Sequence, residues 1–205
     1  MRLTDISSTL RIILEIKIAI VKGTRRFKMK YILVRHGETL QNVGQGATEL
    51  DPCAALSPKG LNQTEQAVKK ISAILLEKNI RASLYYSPYR RTKHMAELLQ
   101  REVQFFSVRE EPLLSEIQCG SFSGYTMKNY GVDHPDEYKK FVRYRNEKCR
   151  FYYRFPDGES PFDVYVRICL FLALFQLNKK LVIPLNWYVI IYQIWILFDR
   201  SQLVL

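Results

Sequence analysis

The feature that most constrains the fold is an alternation of apolar, β-favouring runs with capped helical segments. Residues 31–34 form one such run and Ala82–Tyr86 another, and helix-start signals follow at Ser57-Pro58 and Ser87-Pro88. Serine before proline is typical of a helix start, because the hydroxyl caps free backbone N–H groups and proline suits the first helical turn. Strands that alternate with helices predict a mainly parallel sheet covered on both faces, an α/β/α three-layer sandwich.

The remaining elements follow from apolar periodicity and from prolines at helix starts. The first helix is predicted to run to about Lys78, where its apolar face ends. Residues 105–116 contain a short strand. A further helix is predicted from Pro135 to about Arg150 and another from Pro161 to about Gln176, with an extended segment between them. The 205 residues are enough for one domain with a sizeable core.

The first run ends in an unusual polar sequence, Arg35-His36-Gly37. Ligand sites in open α/β sheets lie where strands give way to loops. A guanidinium can bind two phosphate oxygens at once, and an imidazole can attack phosphorus. Gly37 allows the backbone to approach whatever His36 faces. A structural histidine at a strand end is the simpler interpretation, but the neighbouring arginine and glycine favour a phosphate site.

Four segments, taken in order, carry a resemblance to a known family. They are RHGET with Asn42, SPYRRTKHMA, LSEIQCGSFSG and FYYRFPDGESPFDVYVRI. Together they resemble the histidine phosphatase superfamily in its phosphoglycerate mutase-like branch, across residues 29–186. The last segment is most similar to plant-type phosphoglycerate mutase-like proteins.

This resemblance implies a role for each matched polar residue. His36 would be the nucleophile that forms a phosphohistidine, and Glu116 the general acid and base. Arg35 and Arg91 would clamp the phosphoryl oxygens, and Asn42 would donate its amide to the same group. The implied function is hydrolysis of a small phosphorylated substrate, without cofactor or metal. Phosphatase is favoured over mutase because the chain between Glu116 and the FPDGES run is short.

The chain departs from the family pattern at its far end. The family has a second histidine after a later strand, but no histidine follows His134, and the resemblance stops near Asn186. We therefore expect the C-terminal part of the domain to be missing, the sheet to lack a central strand, and residues 187–205 to form a divergent apolar tail. A catalytically impaired phosphate-binding protein stays open as a second hypothesis.

The far end of the chain also contains an uncharged stretch, residues 181–198. Its length approaches the roughly 20 apolar residues of a membrane-spanning helix. A buried strand followed by a core helix explains the same residues equally well. Pro184, Asn186 and Gln193 weaken the membrane interpretation, so we expect no membrane partner.

The net charge of +11 suits anionic ligands of several kinds. Residues 139–154 interleave basic and aromatic side chains, a pattern that also suits single-stranded nucleic acid. Inward-packed aromatics, or a basic lip that attracts phosphorylated substrates, account for the pattern as well. Because the stretch leads into the FPDGES run, we expect a small phosphorylated substrate or inorganic phosphate as partner, rather than nucleic acid.

Residues 1–28 do not follow the strand–helix alternation and are predicted to be an extension, with the domain running over residues 29–186. They hold seven basic and two acidic residues, which leaves a mitochondrial presequence as an alternative. A secretory signal is disfavoured because Glu15 and Lys17 interrupt the apolar run. The four cysteines are scattered, which fits a reducing compartment, so we predict a cytoplasmic protein.

Overall fold

The computed structural model describes residues 18–22, 30–40, 51–125, 127–146, 151–178 and 187–192. The strands in these ranges are β1 Ile18–Lys22, β2 Lys30–Arg35, β3 Ala82–Tyr86, β4 Ser107–Glu110 and β5 Trp187–Tyr192. The helices are α1 Pro58–Glu77, α2 Arg90–Glu102, α3 Met127–Asp133, α4 Pro135–Asn146 and α5 Pro161–Asn178.

The five strands form one sheet in the order β1-β2-β5-β3-β4. Strands β2, β5, β3 and β4 are parallel to one another, and β1 pairs antiparallel with β2 at one edge. The prediction of a mainly parallel sheet is confirmed. Because the parallel strands run in one direction, the loops that follow them leave the sheet at the same edge.

Helices cover both faces of the sheet, so the predicted three-layer architecture is confirmed. Alternate side chains of a strand point to opposite faces. Ile32 and Leu84 belong to the core cluster that also contains residues of α1 and α2. Leu33 and Tyr85, one residue further along their strands, pack on the cluster that contains the apolar residues of α5.

The expectation that the sheet lacks a central strand is wrong, because Trp187–Tyr192 fills that position. This strand pairs with β2 on one side and β3 on the other, which puts Tyr192 opposite Arg35. A central strand is buried on both faces and reads as a continuous apolar run of β-branched and aromatic residues. The sequence WYVIIY meets that requirement, and both Val189 and Ile190 are buried.

A buried strand within residues 181–198 was one of the two interpretations left open by the sequence, and β5 supports it. The boundary drawn at Asn186 therefore leaves out the middle of the sheet. Within the ranges that the structure describes, no helix combines the length and the apolar character needed to cross a bilayer. Residues 181–186 and 193–205 lie outside the described part of the chain.

The boundary drawn at Met29 likewise leaves out a strand. Ile18–Lys22 pairs in register with β2, so that Ile20 lies opposite Ile32. Part of the predicted extension thus belongs to the sheet, and it satisfies the backbone groups on the outer edge of β2. Residues 1–17 and 23–29 lie outside the described residues.

Three of the four predicted helix starts agree with the structure, at Pro58, Pro135 and Pro161, and one differs. Ser57 caps α1, since its Oγ accepts a hydrogen bond from the Gly60 N–H at 3.0 Å. Ser160 and Asp163 form a reciprocal cap at α5. Ser87 does not cap α2, which begins only at Arg90. The Ser87 hydroxyl instead accepts from the Tyr89 N–H, because residues 87–89 form a turn before the helix.

Candidate functional site

The candidate site lies at the edge of the sheet where the parallel strands end. His36 directly follows β2, Arg91 lies in the first turn of α2 after β3, and Glu116 lies in the loop after β4. Three residues from distant parts of the sequence are therefore delivered to one edge by the parallel arrangement of their strands.

His36 is held in one orientation by its own loop. The residue is 6% exposed, and its Nδ1 lies 2.6 Å from the carbonyl oxygen of Gly37. A carbonyl oxygen only accepts hydrogen bonds, so Nδ1 carries the proton and donates it. In the neutral ring this leaves the lone pair on Nε2, which is the nitrogen available for attack on phosphorus.

The surroundings keep the His36 ring neutral. The pKa of His36 is lowered from its ordinary value of 6.5 to about 3, mainly by burial and also by the positive charges of Arg91 and Arg35, while the hydrogen bond to Gly37 opposes the shift. Burial disfavours the charged imidazolium, and so do like charges close by. The arrangement therefore provides an unprotonated nitrogen beside two cations, which is what nucleophilic attack on an anionic phosphoryl group requires.

Arg91 is buried at the start of α2, whereas its neighbour Arg90 is exposed. The turn that leads into the helix is fixed by Thr92, whose hydroxyl donates to the Ser87 and Tyr89 carbonyls at 2.7 Å each. The Arg91 guanidinium carbon lies 5.1 Å from the centroid of the Tyr89 ring, within cation–π range. A buried arginine held by a packed turn presents its charge with little freedom to move.

The loop after β2 packs directly on the first turn of α1. A Cβ at Gly37 would lie 2.2 Å from the Gly60 carbonyl oxygen, and one at Gly60 would lie 1.9 Å from the Glu38 carbonyl oxygen. Both positions therefore need glycine. The Glu38 carboxylate accepts from the Ser57 hydroxyl at 2.9 Å and forms an ion pair with Lys59 at 3.4 Å, which ties the loop to the helix start.

Glu116 lies half-buried in the loop that follows β4. Its Oε1 accepts a hydrogen bond from the Ile117 N–H at 2.9 Å, and its backbone carbonyl accepts from Arg167 at 3.0 Å. The loop leaves the sheet at the edge where β2 also ends, and Arg167 fixes its backbone from outside.

Asn42, the fifth residue that the sequence picks out, lies outside the described residues. His94 and His134 lie on other parts of the fold: His94 is within α2, and the His134 ring stacks on Tyr130 at 4.6 Å between centroids. Across the residues that the structure describes, there is no group of three or more histidine, cysteine, aspartate or glutamate residues that could hold a metal ion.

The basic and aromatic stretch at residues 139–154 contains both packed and exposed aromatic rings. Phe141 packs on Phe122 and Phe155, with centroid distances of 5.5 and 5.7 Å. Tyr152, by contrast, is 70% exposed. The packed ring supports the interpretation that some of the aromatics in this stretch serve the core.

The structure adds two residues to the site region that the sequence did not single out, Glu159 and Arg167. They form an ion pair at 2.9 Å, and Arg167 also donates to the Leu113 carbonyl in the loop before Glu116. Both lie within the FYYRFPDGESPFDVYVRI segment, eight residues apart. That motif was the available signal, but sequence spacing does not reveal which loop an arginine reaches.

Solved structures share this fold. The α-ribazole phosphatase from Shigella flexneri superposes with a TM-score of 0.62 and 21% identity, covering 80% of this chain and 74% of that chain. The mycobacterial glucosyl-3-phosphoglycerate phosphatase gives a TM-score of 0.57 and 23% identity, covering 78% and 72%.

Relatives in sequence point to the same group of proteins. The phosphoglycerate mutase-like protein AT74H of Arabidopsis thaliana is 32% identical over 169 residues, which are 74% of this chain and 55% of the relative. Phosphoserine phosphatase 1 of Hydrogenobacter thermophilus is 30% identical over 145 residues, 70% of this chain and 63% of that protein. The chain spans about half the length of the Arabidopsis relatives it matches. Residues 31–177 match the histidine phosphatase superfamily (branch 1), and the chain belongs to that superfamily.

Proposed function

We propose that this protein hydrolyses phosphate monoesters of a small substrate through a phosphohistidine on His36. The observation that carries the proposal is the state of that ring: it is buried and neutral, donates from Nδ1 to Gly37, and lies beside the charges of Arg91 and Arg35. A neutral imidazole is a nucleophile, and the two arginines beside it favour an electrophile that carries negative charge. A phosphoryl group is such an electrophile.

The proposed reaction has two steps. In the first, Nε2 of His36 attacks phosphorus, a P–N bond forms, and the bond to the substrate oxygen breaks as Glu116 gives that oxygen a proton. In the second, Glu116 takes a proton from water, the water oxygen attacks phosphorus, and the P–N bond breaks to release inorganic phosphate. A positioned acid and base of this kind contributes about 10²–10⁴-fold.

The two arginines act on the charge of the transferring group. Negative charge spreads over the phosphoryl oxygens during transfer, and preorganised cations stabilise it. The field of Arg91 and Arg35 that lowers the pKa of His36 is the same field that attracts the phosphoryl oxygens. Asn42 is proposed as a further donor to these oxygens on the basis of its place in the motif.

The names of the similar proteins include both mutase-like proteins and phosphatases, and we favour phosphatase chemistry. One is a phosphoserine phosphatase, and the structural neighbours include phosphatases solved with inorganic phosphate and with vanadate. The short chain between Glu116 and the FPDGES run supports the same choice, because a mutase must retain its intermediate between the two transfers.

A second candidate function is phosphate binding with little or no turnover. The observation that favours it concerns β5, the strand next to β2. Its last described residue, opposite Arg35, is Tyr192, and residues 193–205 contain no histidine. The family's second histidine would stabilise charge on the transferring group, and loss of one such donor commonly costs about 10²–10³-fold in rate.

One experiment separates the two candidates. Wild-type protein is incubated with a ³²P-labelled phosphate monoester and quenched in alkali, in which a phosphohistidine survives, while free phosphate is counted in parallel. Vanadate binding is measured by calorimetry on the same preparation. Label on the protein together with phosphate release supports the hydrolase, and vanadate binding without release supports the binding protein.

The variants His36→Ala and His94→Ala complete this experiment. Label and turnover are expected to disappear with His36→Ala and to persist with His94→Ala, which removes a histidine from the middle of α2. Label trapped on the His36→Ala protein would mean that His36 is not the nucleophile.

A further inference from the structure

The loop that carries Glu116 is held by an arginine from another layer of the fold. Arg167, on α5, donates from Nη1 to the Leu113 carbonyl at 2.6 Å and from Nη2 to the Glu116 carbonyl at 3.0 Å. Leu113 lies in the short 3₁₀ helix that follows β4, and Glu116 is the candidate acid itself. Only 14% of the Arg167 side chain is exposed, so these bonds are made away from bulk water.

Glu159 fixes the guanidinium in that orientation. Arg167 Nε donates to Glu159 Oε1 at 2.9 Å, and Nη2 donates to Oε2 at 3.1 Å. This is the two-point pairing of a planar guanidinium with a carboxylate, which sets direction as well as distance. The remaining N–H groups then point at the loop carbonyls, because the fork of the guanidinium is rigid.

The same glutamate holds the loop on the other side of Glu116. Its Oε2 accepts from the Gln118 N–H at 3.0 Å, and its own N–H donates to the Gln118 carbonyl at 2.8 Å. The backbone is therefore fixed at Leu113, Glu116 and Gln118, two or three residues apart. Between these points the Glu116 carboxyl has little freedom beyond its own side-chain rotation.

We propose that Arg167 and Glu159 are positioning residues for Glu116, which fix the backbone so that its carboxyl can protonate the leaving oxygen. This inference rests on the proposed function. In this proposal Glu159 and Arg167 contact neither substrate nor phosphorus, and they act through Glu116 alone. They are expected to affect proton transfer and not the attack by His36.

The choice of leaving group provides a direct readout of that distinction. An aryl phosphate such as p-nitrophenyl phosphate has an acidic leaving group that departs with little help from a proton donor. An alkyl phosphate such as glycerol 3-phosphate has a basic leaving oxygen that requires one. A misplaced general acid therefore lowers kcat/KM for the alkyl ester far more than for the aryl ester.

The test compares both substrates in wild type, Arg167→Lys and Glu159→Gln. We expect the alkyl-to-aryl ratio of kcat/KM to fall by about 10-fold or more in each variant, because a misplaced general acid loses part of its contribution of about 10²–10⁴-fold. The ratio is measured within one preparation, so the folded fraction of a variant cancels. The matched control is Arg154→Lys, which alters an exposed ion pair with Asp163 on the same segment and is expected to leave the ratio unchanged.

A double variant tests whether Arg167 acts through Glu116. Glu116→Gln alone should lower the ratio, and adding Arg167→Lys to it should lower the ratio no further, because the group being positioned is already gone. Equal losses on both substrates with Arg167→Lys, or an additional loss in the double variant, would overturn the positioning role and leave the proposed function standing. A wild-type protein that releases phosphate from neither ester and forms no phosphoenzyme would overturn both.

Discussion

Burial of His36 makes the stability of the protein depend on pH in a calculable way. The pKa of His36 is lowered from 6.5 to about 3 in the folded state. Between those two pH values the His36 side chain binds a proton in the unfolded chain but not in the folded protein. This histidine therefore leaves the free energy of unfolding unchanged above about pH 6.5 and lowers it as the pH falls from about 6.5 towards about 3.

The magnitude follows from the two pKa values. At about pH 5 the unfolded histidine is mostly protonated and the folded one is neutral, so the linkage relation gives a loss of about 2 kcal/mol relative to about pH 8. The steepest slope for one proton is about 1.4 kcal/mol per pH unit. A loss of this size is a substantial part of the stability of an ordinary domain.

The assay is urea unfolding followed by far-UV circular dichroism at about pH 8 and about pH 5, in buffer without phosphate, because a bound anion would offset the charge of a protonated ring. The variant is His36→Asn, which keeps a polar group but does not titrate. We expect its decline between the two pH values to be smaller than that of wild type by about 2 kcal/mol.

His94→Gln serves as the control, because it removes a half-buried histidine from α2 and shows whether the loss of any histidine changes the decline. Equal declines in wild type and His36→Asn, to within about 0.5 kcal/mol, would refute the argument, since that is the error expected of such comparisons. The ring would then titrate alike in both states, and the structure would have no buried neutral nucleophile.

Three further predictions concern binding and packing. Arg91→Ala should weaken vanadate binding by about 1.5–3 kcal/mol, the range for a hydrogen bond to a charged group, and the exposed Arg90→Ala much less; calorimetry that finds equal losses would place the motif in the wrong register. Gly37→Ala should destabilise the fold by about 1–3 kcal/mol in urea unfolding, because its Cβ would meet backbone 2.2 Å away; an unchanged midpoint would contradict the close approach. Val189→Ala, fully buried in β5, should cost about 2 kcal/mol, and Val166→Ala, 48% exposed, less than about 0.5; equal costs would argue against a central strand here.

Much of the fold could be predicted from local signals. The cap at Ser57 and the apolar spacing of α1 depend only on neighbouring residues, and the structure reproduces both. The start of α2 was missed by two residues, because the serine–proline signal at Ser87-Pro88 is equally compatible with a turn. Whether a turn or a helix forms at this position depends on how Arg91 and Thr92 pack against the rest of the protein.

The sequence predicted site residues only where a short motif contains side chains whose chemistry suits a phosphate. His36, Arg35 and Arg91 lie in short motifs whose residue types suit a phosphate, and the structure brings these three together. Arg167 also lies in a motif, but the loop carbonyls to which it donates lie more than 50 residues away in the chain, so the motif does not reveal its role. The catalytic role of Glu116 stays a prediction, as does the role of Asn42.

The sequence by itself determined the alternation of strands and helices, the α/β class, and the polar sequence at the end of β2. These depend on the periodicity of side chains and on the conformational preferences of serine, proline and glycine, which act over a few residues. The sequence could not determine which strands are neighbours, because strands pair through backbone hydrogen-bonding groups, which every residue carries.

Only the tertiary structure placed β5 between β2 and β3, and β1 at the edge of β2. A strand from the far end of the chain takes the central position because both of its faces are apolar, and a sheet covered by helices on both sides provides burial there. The lowered pKa of His36 has the same origin. Desolvation and the charge of Arg91 come from residues distant in sequence, and folding alone brings them to the ring.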